Sequence, residues 1–477
     1  MIPVSYIEGK HQMQLGPLQQ LTIGLSVASI LSISQAFIPI WVVPSVILAA
    51  ALLYVILRND KYTLIAYTAV IIAVRIRERQ TGISPIDIFA GFFMTAILLR
   101  IFIQRKFFQR EQIVKHHLLY PVLLFSGWAL FFGLLSIFRL GAEFEWVYRE
   151  FLTFSPLLFI PILFKRIGID NKKDFPTILA FLLTFWLIAE VASVLIIRKS
   201  VQSVVFLYET GHANFDVMRP SIAIFLFISL VALPSQWKYR LLYGAGLLLA
   251  VLGLILTFNR TAWLLTLSLL PVLILTTPRL NRKNAIKFLL TLLGLILLVA
   301  TISYFSLHLV QMLMQWAYTK FLSSSNLKSD ASLFNRYVEW RYTLKQILQT
   351  PISGVGFAGR YHEYEWIKGS FRDSFYTHSG FLGILLKSGI VGFILLGYAH
   401  IRFFLLGIKH SLSQKLTVHE KVFSRIGLFI IILTTLHGLT LNPLMHREFL
   451  WYVGMTWGYY IYLERKTNLT SRSEISH

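Results

Sequence analysis

Cysteine is absent from the chain, so no disulfide, thiolate metal site or cysteine nucleophile belongs to its chemistry. Charge is scarce as well. Only 14% of residues are charged, against roughly 25% in soluble domains, while 56% are hydrophobic and the mean hydropathy is strongly positive. A water-soluble fold of this composition would have nowhere to put its apolar surface. Acidic residues are the scarcer charge: 22 Asp and Glu stand against 45 Lys and Arg, for a net charge of +23. The basic residues sit in short loops between apolar runs and do not gather on one soluble face, which argues against nucleic acid and for cytoplasmic loops beside anionic lipid. The N-terminus lacks a charged region followed by a short apolar stretch and an A-x-A cleavage site, so the first transmembrane helix is expected to serve as the insertion signal. No H-E-x-x-H, EF-hand, Walker or G-x-S-x-G pattern occurs.

What the sequence does hold is a succession of apolar runs, several reaching the roughly 20 residues that a helix needs to cross the hydrocarbon layer. Stretches such as Ile286 to Phe305 are apolar all round, unlike the alternating strands of a closed barrel. Candidate spans are Leu21–Phe37, Ile38–Leu57, Tyr62–Val74, Pro85–Ile103, Leu118–Phe138, Phe151–Phe164, Phe175–Ile197, Pro220–Leu233, Leu241–Phe258, Thr261–Thr277, Ile286–Leu307, Gly380–Leu406, Ile426–Leu441 and Phe449–Leu463. The fold class expected is an all-α polytopic membrane protein, a bundle of about 12–14 transmembrane helices with one large extracytoplasmic loop. Its parts are an N-terminal bundle (1–307), the loop (308–378), C-terminal transmembrane helices (379–464) and a polar, disordered cytoplasmic tail (465–477).

Orientation follows from lysine and arginine in alternate short loops. Arg105, Lys106, Arg110 and Lys115, then Lys165, Arg166, Lys172 and Lys173, then Arg279, Arg282 and Lys283, then Lys409, Lys415 and Lys421 mark the cytoplasmic side. Arg75, Arg77 and Arg79 run against this scheme. The loop with Glu143, Glu145 and Glu150 and the long 308–378 connection fall outside. Within the latter, Leu333, Phe334, Tyr337, Val338, Leu344, Ile347 and Leu348 recur at helical spacing, with Arg336, Arg341 and Lys345 interleaved. That pattern predicts an amphipathic helix on the bundle or at the membrane surface, capped by Ser329 or Asp330 and stopped by Pro351.

Four features carry candidate chemistry. Asn259-Arg260-Thr261-Ala262-Trp263 puts an arginine at a tight turn between two apolar spans, where it either marks a functional site or snorkels to headgroups. Asn335-Arg336-Tyr337-Val338-Glu339-Trp340-Arg341 carries two arginines that could present guanidinium groups to a phosphate, or form a solvated face that Glu339 partly neutralises. Pro351 to Gly359 reads as GxGxxG, but no strand precedes it and no βαβ unit surrounds it, so it is a turn for close backbone packing and not a dinucleotide site. Thr377-His378-Ser379-Gly380 sets a histidine at the mouth of a transmembrane helix, suited to an acceptor hydroxyl or simply to an interfacial position. Asp87 reads as a helix cap, and Arg100, Lys387, His437 and His446 as packed or snorkelling polar residues.

In this order the features resemble the O-antigen ligase and Wzy-type polymerase superfamily of bacterial envelopes. The resemblance rests on the Arg-x-Ala-Trp turn at Arg260–Trp263, Arg336 and Trp340 on the loop helix, P-x-x-G-x-G at Pro351–Gly356, and His378, Leu382, Gly389 and Gly392. It covers Met218 to Phe404. Departures are Ser379 where asparagine is common, Lys387 where glutamate is common, and Arg219-Pro220 in place of an Asn-containing segment. The resemblance implies a GT-C-like membrane glycosyltransferase of the inner membrane with an extracytoplasmic active face. It would move a glycan from an undecaprenyl-diphosphate-linked donor to an acceptor glycan or glycolipid, with no metal or other cofactor. Arg260, Arg336, Arg341 and Arg219 would grip the donor diphosphate, and His378 with Arg336 would be catalytic. Ligase and polymerase remain open, since the acceptor could be lipid A-core, a second lipid-linked glycan or a protein. The competing class is a multi-pass transporter or flippase, whose paired halves and broken helices are not evident here.

Overall fold

The computed structural model describes residues 118–166, 218–233, 237–257, 259–276, 331–366, 369–439, 441–442 and 447–475, together with 91–97 and scattered positions between 63 and 315. The expected spans before residue 104, those at Phe175–Ile197 and Ile286–Leu307, the cluster Arg75, Arg77 and Arg79, and Asp87, Arg100, Ser329, Asp330 and His446 lie wholly or mostly outside the described residues.

Helices dominate. In chain order they are α1 (Tyr120–Leu140), α2 (Phe144–Arg166), α3 (Arg219–Ala232), α4 (Trp237–Leu256), α5 (Arg260–Thr276), α6 (Ala331–Gln349), α7 (Gly380–Leu412), α8 (Val418–His437) and α9 (Arg447–Ile475). Among the described residues three helices are long and apolar enough to cross a membrane: Tyr120–Phe138, Phe144–Leu163 and Gly380–Leu412. Arg219–Val231, Arg240–Ile255 and Arg260–Thr276 are shorter apolar helices. Leu124, Phe131 and Phe138 on α1 and Ile390, Ile394, Ile401 and Leu405 on α7 remain exposed, as side chains facing lipid would be, because hydrocarbon solvates them as well as a protein core does. Packing between helices buries the other faces, most extensively between α2 and α9. The Tyr460 hydroxyl on α9 donates to the Ser424 carbonyl of α8 (2.6 Å), and the Ser424 hydroxyl donates to the Gly407 carbonyl of α7 (3.1 Å).

One expectation needs correction. The segment after Glu464 is not a disordered tail over its length, since α9 continues as helix to Ile475. Lys466 bonds Glu420 at the start of α8, and Lys409 reaches Glu464 at 3.1 Å, so ion pairs hold the polar end of α9 against its neighbours. The outer loop also holds a pair of strands beside its helix. After α6 the chain forms a two-stranded antiparallel hairpin, β1 (Tyr361–Glu365) with β2 (Ser370–Ser374), turned at Gly369 with φ of 63°.

The most consequential departure lies inside α7. Its dihedral angles leave the helical region at Gly389 (φ 59°, ψ −167°), and the loop after α6 fills the break. Val355 N–H donates to the Leu386 carbonyl (2.8 Å), Gly356 N–H to the Lys387 carbonyl (3.0 Å), and Ile390 N–H to the Pro351 carbonyl (2.9 Å). The Trp128 indole of α1 donates to the Ser388 carbonyl at 2.9 Å. Groups that an unbroken helix would pair internally are thus paired with another segment, as a low-dielectric setting requires. Glycine is needed on both sides of the splice. A Cβ at Gly354 (φ 68°) would strike the backbone around Lys387 and Gly389, and one at Gly389 would strike the Ile352 carbonyl.

The acidic end of α1 and α2 meets the outer loop through Glu143 to Arg360 (3.4 Å) and Glu150 to Ala358 N–H (2.7 Å), so the two segments assigned to one side by loop charge do share a side. The charge asymmetry predicts that this side faces outward. In intact spheroplasts an impermeant maleimide should label Asp373→Cys and spare Lys415→Cys; the reverse pattern would invert the orientation.

Candidate active site

The Asn259 turn is built by its own side chains. The Asn259 amide oxygen accepts from Ala262 N–H (3.0 Å), capping α5, and the Trp263 indole closes the turn by donating to the Leu254 carbonyl (2.6 Å). Arg260 is thereby held at the first position of α5, half-buried. Arg219 holds the matching position on α3 and is fully buried. The Thr266 hydroxyl donates to that of Ser221 at 2.6 Å, and since each lies within two turns of its helix start, both arginines stand at the same end of the bundle. Cations at helix N-termini add to the positive end of the macrodipole, which raises the local potential for an anion.

On α6 the buried stripe is Glu339, Thr343 and Ile347, whereas Tyr337, Leu344 and Leu348 are exposed. Of the apolar residues that announced the helix only Ile347 belongs to this stripe, whose other members, Glu339 and Thr343, are polar and face the mouth of α7. There both carboxylate oxygens of Glu339 engage His378: one accepts the backbone N–H, and the other lies 2.6 Å from Nδ1. Burial alone would raise the Glu339 carboxyl, but the His378 hydrogen bonds and charge outweigh it and hold the group below its ordinary value. The pair therefore stabilises the fold above the ordinary carboxylate range and loses that contribution as pH falls through the lowered value. With Nδ1 committed, Nε2 is the ring nitrogen left to a substrate. The His378 side chain is 33% exposed, and the Tyr376 ring meets it edge-on at 5.0 Å.

Arg336 stands one helical turn before Glu339, on the same side of α6 and half-buried. Arg341 lies roughly 140° around the axis from Arg336 and is exposed. So the structure joins Glu339 to His378, sets Arg336 one helical turn before Glu339 on α6 and places Arg260 and Arg219 at one bundle end, while Arg341 occupies a different face from Arg336.

The loop from Pro351 to Gly359 is pinned by a buried ion pair. Lys387 Nζ, on α7 just before the break, lies 2.9 Å from Glu150 Oε1 and donates to the Gly359 carbonyl at 3.0 Å, while Glu150 Oε2 accepts from Ala358 N–H. Sequence reasoning missed this pair and the role of Glu339. Lys387 was visible only as a membrane-depth cation, and Glu339 only as a counter-charge. Farther out, the Tyr361 hydroxyl donates to Glu363 (2.6 Å) and Arg372 Nε donates to the same carboxylate (2.8 Å). Burial and the nearby carboxylates of Glu339 and Glu363 push the Tyr361 hydroxyl far up, so it remains a donor. Among the described residues no group of three or more His, Asp or Glu could hold a metal ion.

Residues 245–397 match the O-antigen ligase family model (Wzy_C). That segment contains the Asn259 turn, α6, the inserted loop, the hairpin, His378 and the break in α7, and the match supports the resemblance read from the motifs, while Arg219 lies before it. No curated protein matches the chain.

The Lys387–Glu150 pair is predicted to be strongly coupled. Lys387→Met leaves a buried carboxylate unpaired and should cost on the order of 3–5 kcal/mol, read as a lower melting temperature of the purified protein. The double variant Lys387→Met/Glu150→Leu should recover part of that loss. Strictly additive losses would show that the pair contributes no coupling.

Proposed function

We propose, from an O-antigen ligase match that spans both the Asn259 turn and the His378 junction, that this protein is a membrane glycosyltransferase of surface polysaccharide assembly. It transfers a glycan from an undecaprenyl-diphosphate-linked donor to an acceptor glycan or glycolipid on the extracytoplasmic face of the inner membrane. The observation that carries the reading is the Glu339–His378 pair one turn from Arg336.

In this mechanism the donor diphosphate lies between Arg260 and Arg336, with Arg219 deepening the positive end of the bundle and Arg341 reaching the donor from its exposed flank. The acceptor hydroxyl attacks the anomeric carbon, its proton passes to Nε2 of His378, and the bond from that carbon to the phosphate oxygen breaks. Glu339 holds Nδ1–H, fixes the ring and balances the imidazolium as it forms, which is the logic of an acid-oriented histidine base. Charge that develops on the diphosphate is met by guanidinium groups already in place. Fixed cations supply this stabilisation without a divalent ion, so transfer should persist in excess EDTA; loss of activity restored by magnesium or manganese would remove the arginine-centred mechanism.

Arginine serves a diphosphate better than lysine because its planar fork donates two parallel hydrogen bonds. Arg336→Ala and His378→Ala should each lower turnover on the order of 100- to 1,000-fold, and Arg336→Lys should fail nearly as badly as the alanine. Glu339→Gln should also lower turnover, while Lys345→Ala, exposed on the same helix, should have little effect. The assay is transfer by purified, folded variants from a lipid-linked glycan donor. Near-normal rates for both Arg336→Ala and His378→Ala would sink the assignment.

A further inference from the structure

The hairpin of the outer loop has two faces of opposite character. Antiparallel register sets His362 against Asp373 and Tyr364 against Phe371 on one face, and Tyr361 against Ser374 and Glu363 against Arg372 on the other. The second face turns inward: Tyr361, Glu363 and Ser374 are buried, and Arg372 closes on Glu363. The first face is open. Phe371 is 56% exposed, and Trp366, at the turn, is 50% exposed.

These rings are exposed yet held. The His362 ring lies flat against Phe371, with 3° between planes and centroids 5.1 Å apart, and Tyr364 meets Phe371 edge-on at 5.1 Å. Trp366 packs against Phe334 of α6 at 4.8 Å. Beside them His362 Nδ1 lies 3.0 Å from Asp373 Oδ1. A pyranose ring presents an apolar face of C–H groups that stacks on an aromatic ring, and equatorial hydroxyls that bond to carboxylate and imidazole. Large aromatic side chains left open to solvent mark binding surfaces more often than they occur by chance.

We propose that the face formed by His362, Tyr364, Phe371 and Asp373, with Trp366 at its edge, is a glycan subsite that holds sugar rings remote from the reacting end. The proposal rests on the transfer reading, and names where the rest of the glycan lies. Two observations favour a glycan as occupant. β2 leads directly to His378, and the seven residues from Phe371 span at most about 25 Å, a distance that a few linked sugars cover. The hairpin is also fastened to the site, since the Tyr361 hydroxyl bonds the Tyr376 carbonyl at 3.0 Å and Tyr376 abuts His378. A lipid surface suits this face poorly, because its four strand positions carry a carboxylate and no lysine or arginine.

The test uses the intact chain in lipid nanodiscs. The probe is the source cell's surface polysaccharide, cut from its lipid by mild acid, with binding read by saturation-transfer NMR on the sugar protons. The wild type should transfer saturation to the sugar. Phe371→Ala should weaken the apparent Kd about tenfold, the size expected for losing one aromatic contact, while Phe371→Trp should keep it and Leu348→Ala, exposed near the end of α6, should be unchanged. If Phe371→Ala does not fold, Trp366→Ala carries the same expectation. Absence of saturation transfer to the wild type, or equal affinity in the folded alanine variants, overturns the subsite, as does a spin label at Asp373→Cys that contacts acyl chains. Because the readout needs no turnover, binding lost with Phe371 in a protein that transfers no glycan would support the subsite and defeat the transfer reading.

Discussion

The arrangement of this site depends on a splice between two pieces of backbone. α7 breaks at Gly389, and the loop that ends α6 enters the gap and takes over the hydrogen bonds of Leu386, Lys387 and Ile390. A membrane helix cannot leave such groups unpaired, because each costs several kcal/mol in hydrocarbon. The insertion is therefore a condition of the break and not an ornament on it. It also registers two elements against each other: α6, which carries Arg336 and Glu339, and the start of α7, which follows His378. A hydrogen bond as short as that between Glu339 and His378 tolerates little slack.

Charge is distributed with the same economy. Lys387 and Glu150 neutralise one another where the loop, α2 and α7 meet, and Glu339 is matched to His378 by geometry as well as by sign. A buried pair of this kind is weak support for stability in itself, but removing either member is costly because the other remains desolvated. The arginines at the starts of α3 and α5 follow a different rule. They sit where the helix dipole is least hospitable to a cation, which fits the anion-holding role proposed for them.

Much of this was legible in residue types and spacing. The bounds of α3 and α5 follow the apolar runs beginning at Pro220 and Thr261 to within one residue, since hydropathy reports helix length directly. Arg260 and His378 stood out because polar groups at the ends of apolar runs need a reason, and Arg336 because two arginines on one loop helix could present guanidinium groups to a phosphate. The break in α7 was not legible, because the run from Gly380 to Leu406 is predominantly apolar on both sides of Gly389 and hydropathy scores side chains, not backbone angles. Gly389 and Gly354 were visible as motif letters without a geometry. The hairpin escaped because Tyr361–Glu365 alternates in burial but not in hydropathy: Glu363, a charged residue, occupies an inward position. The role of Glu339 depends on a partner thirty-nine positions away, a separation that no local pattern reports.

The splice also acts as a ruler. Consecutive N–H groups at Val355 and Gly356 meet consecutive carbonyls at Leu386 and Lys387, while Pro351 meets Ile390 from the other side of the gap. One residue gained or lost between Pro351 and Gly356 would shift the donors of this segment against their acceptors. The turn of the hairpin, between Glu365 and Ser370, is closed by Gly369 N–H donating to the Glu365 carbonyl (2.8 Å) and takes no part in the three hydrogen bonds of the splice. Length variation in this part of the chain should therefore collect at the hairpin tip and avoid the spliced loop, so that descendants of the sequence could reshape what the outer loop reaches without disturbing where His378 sits.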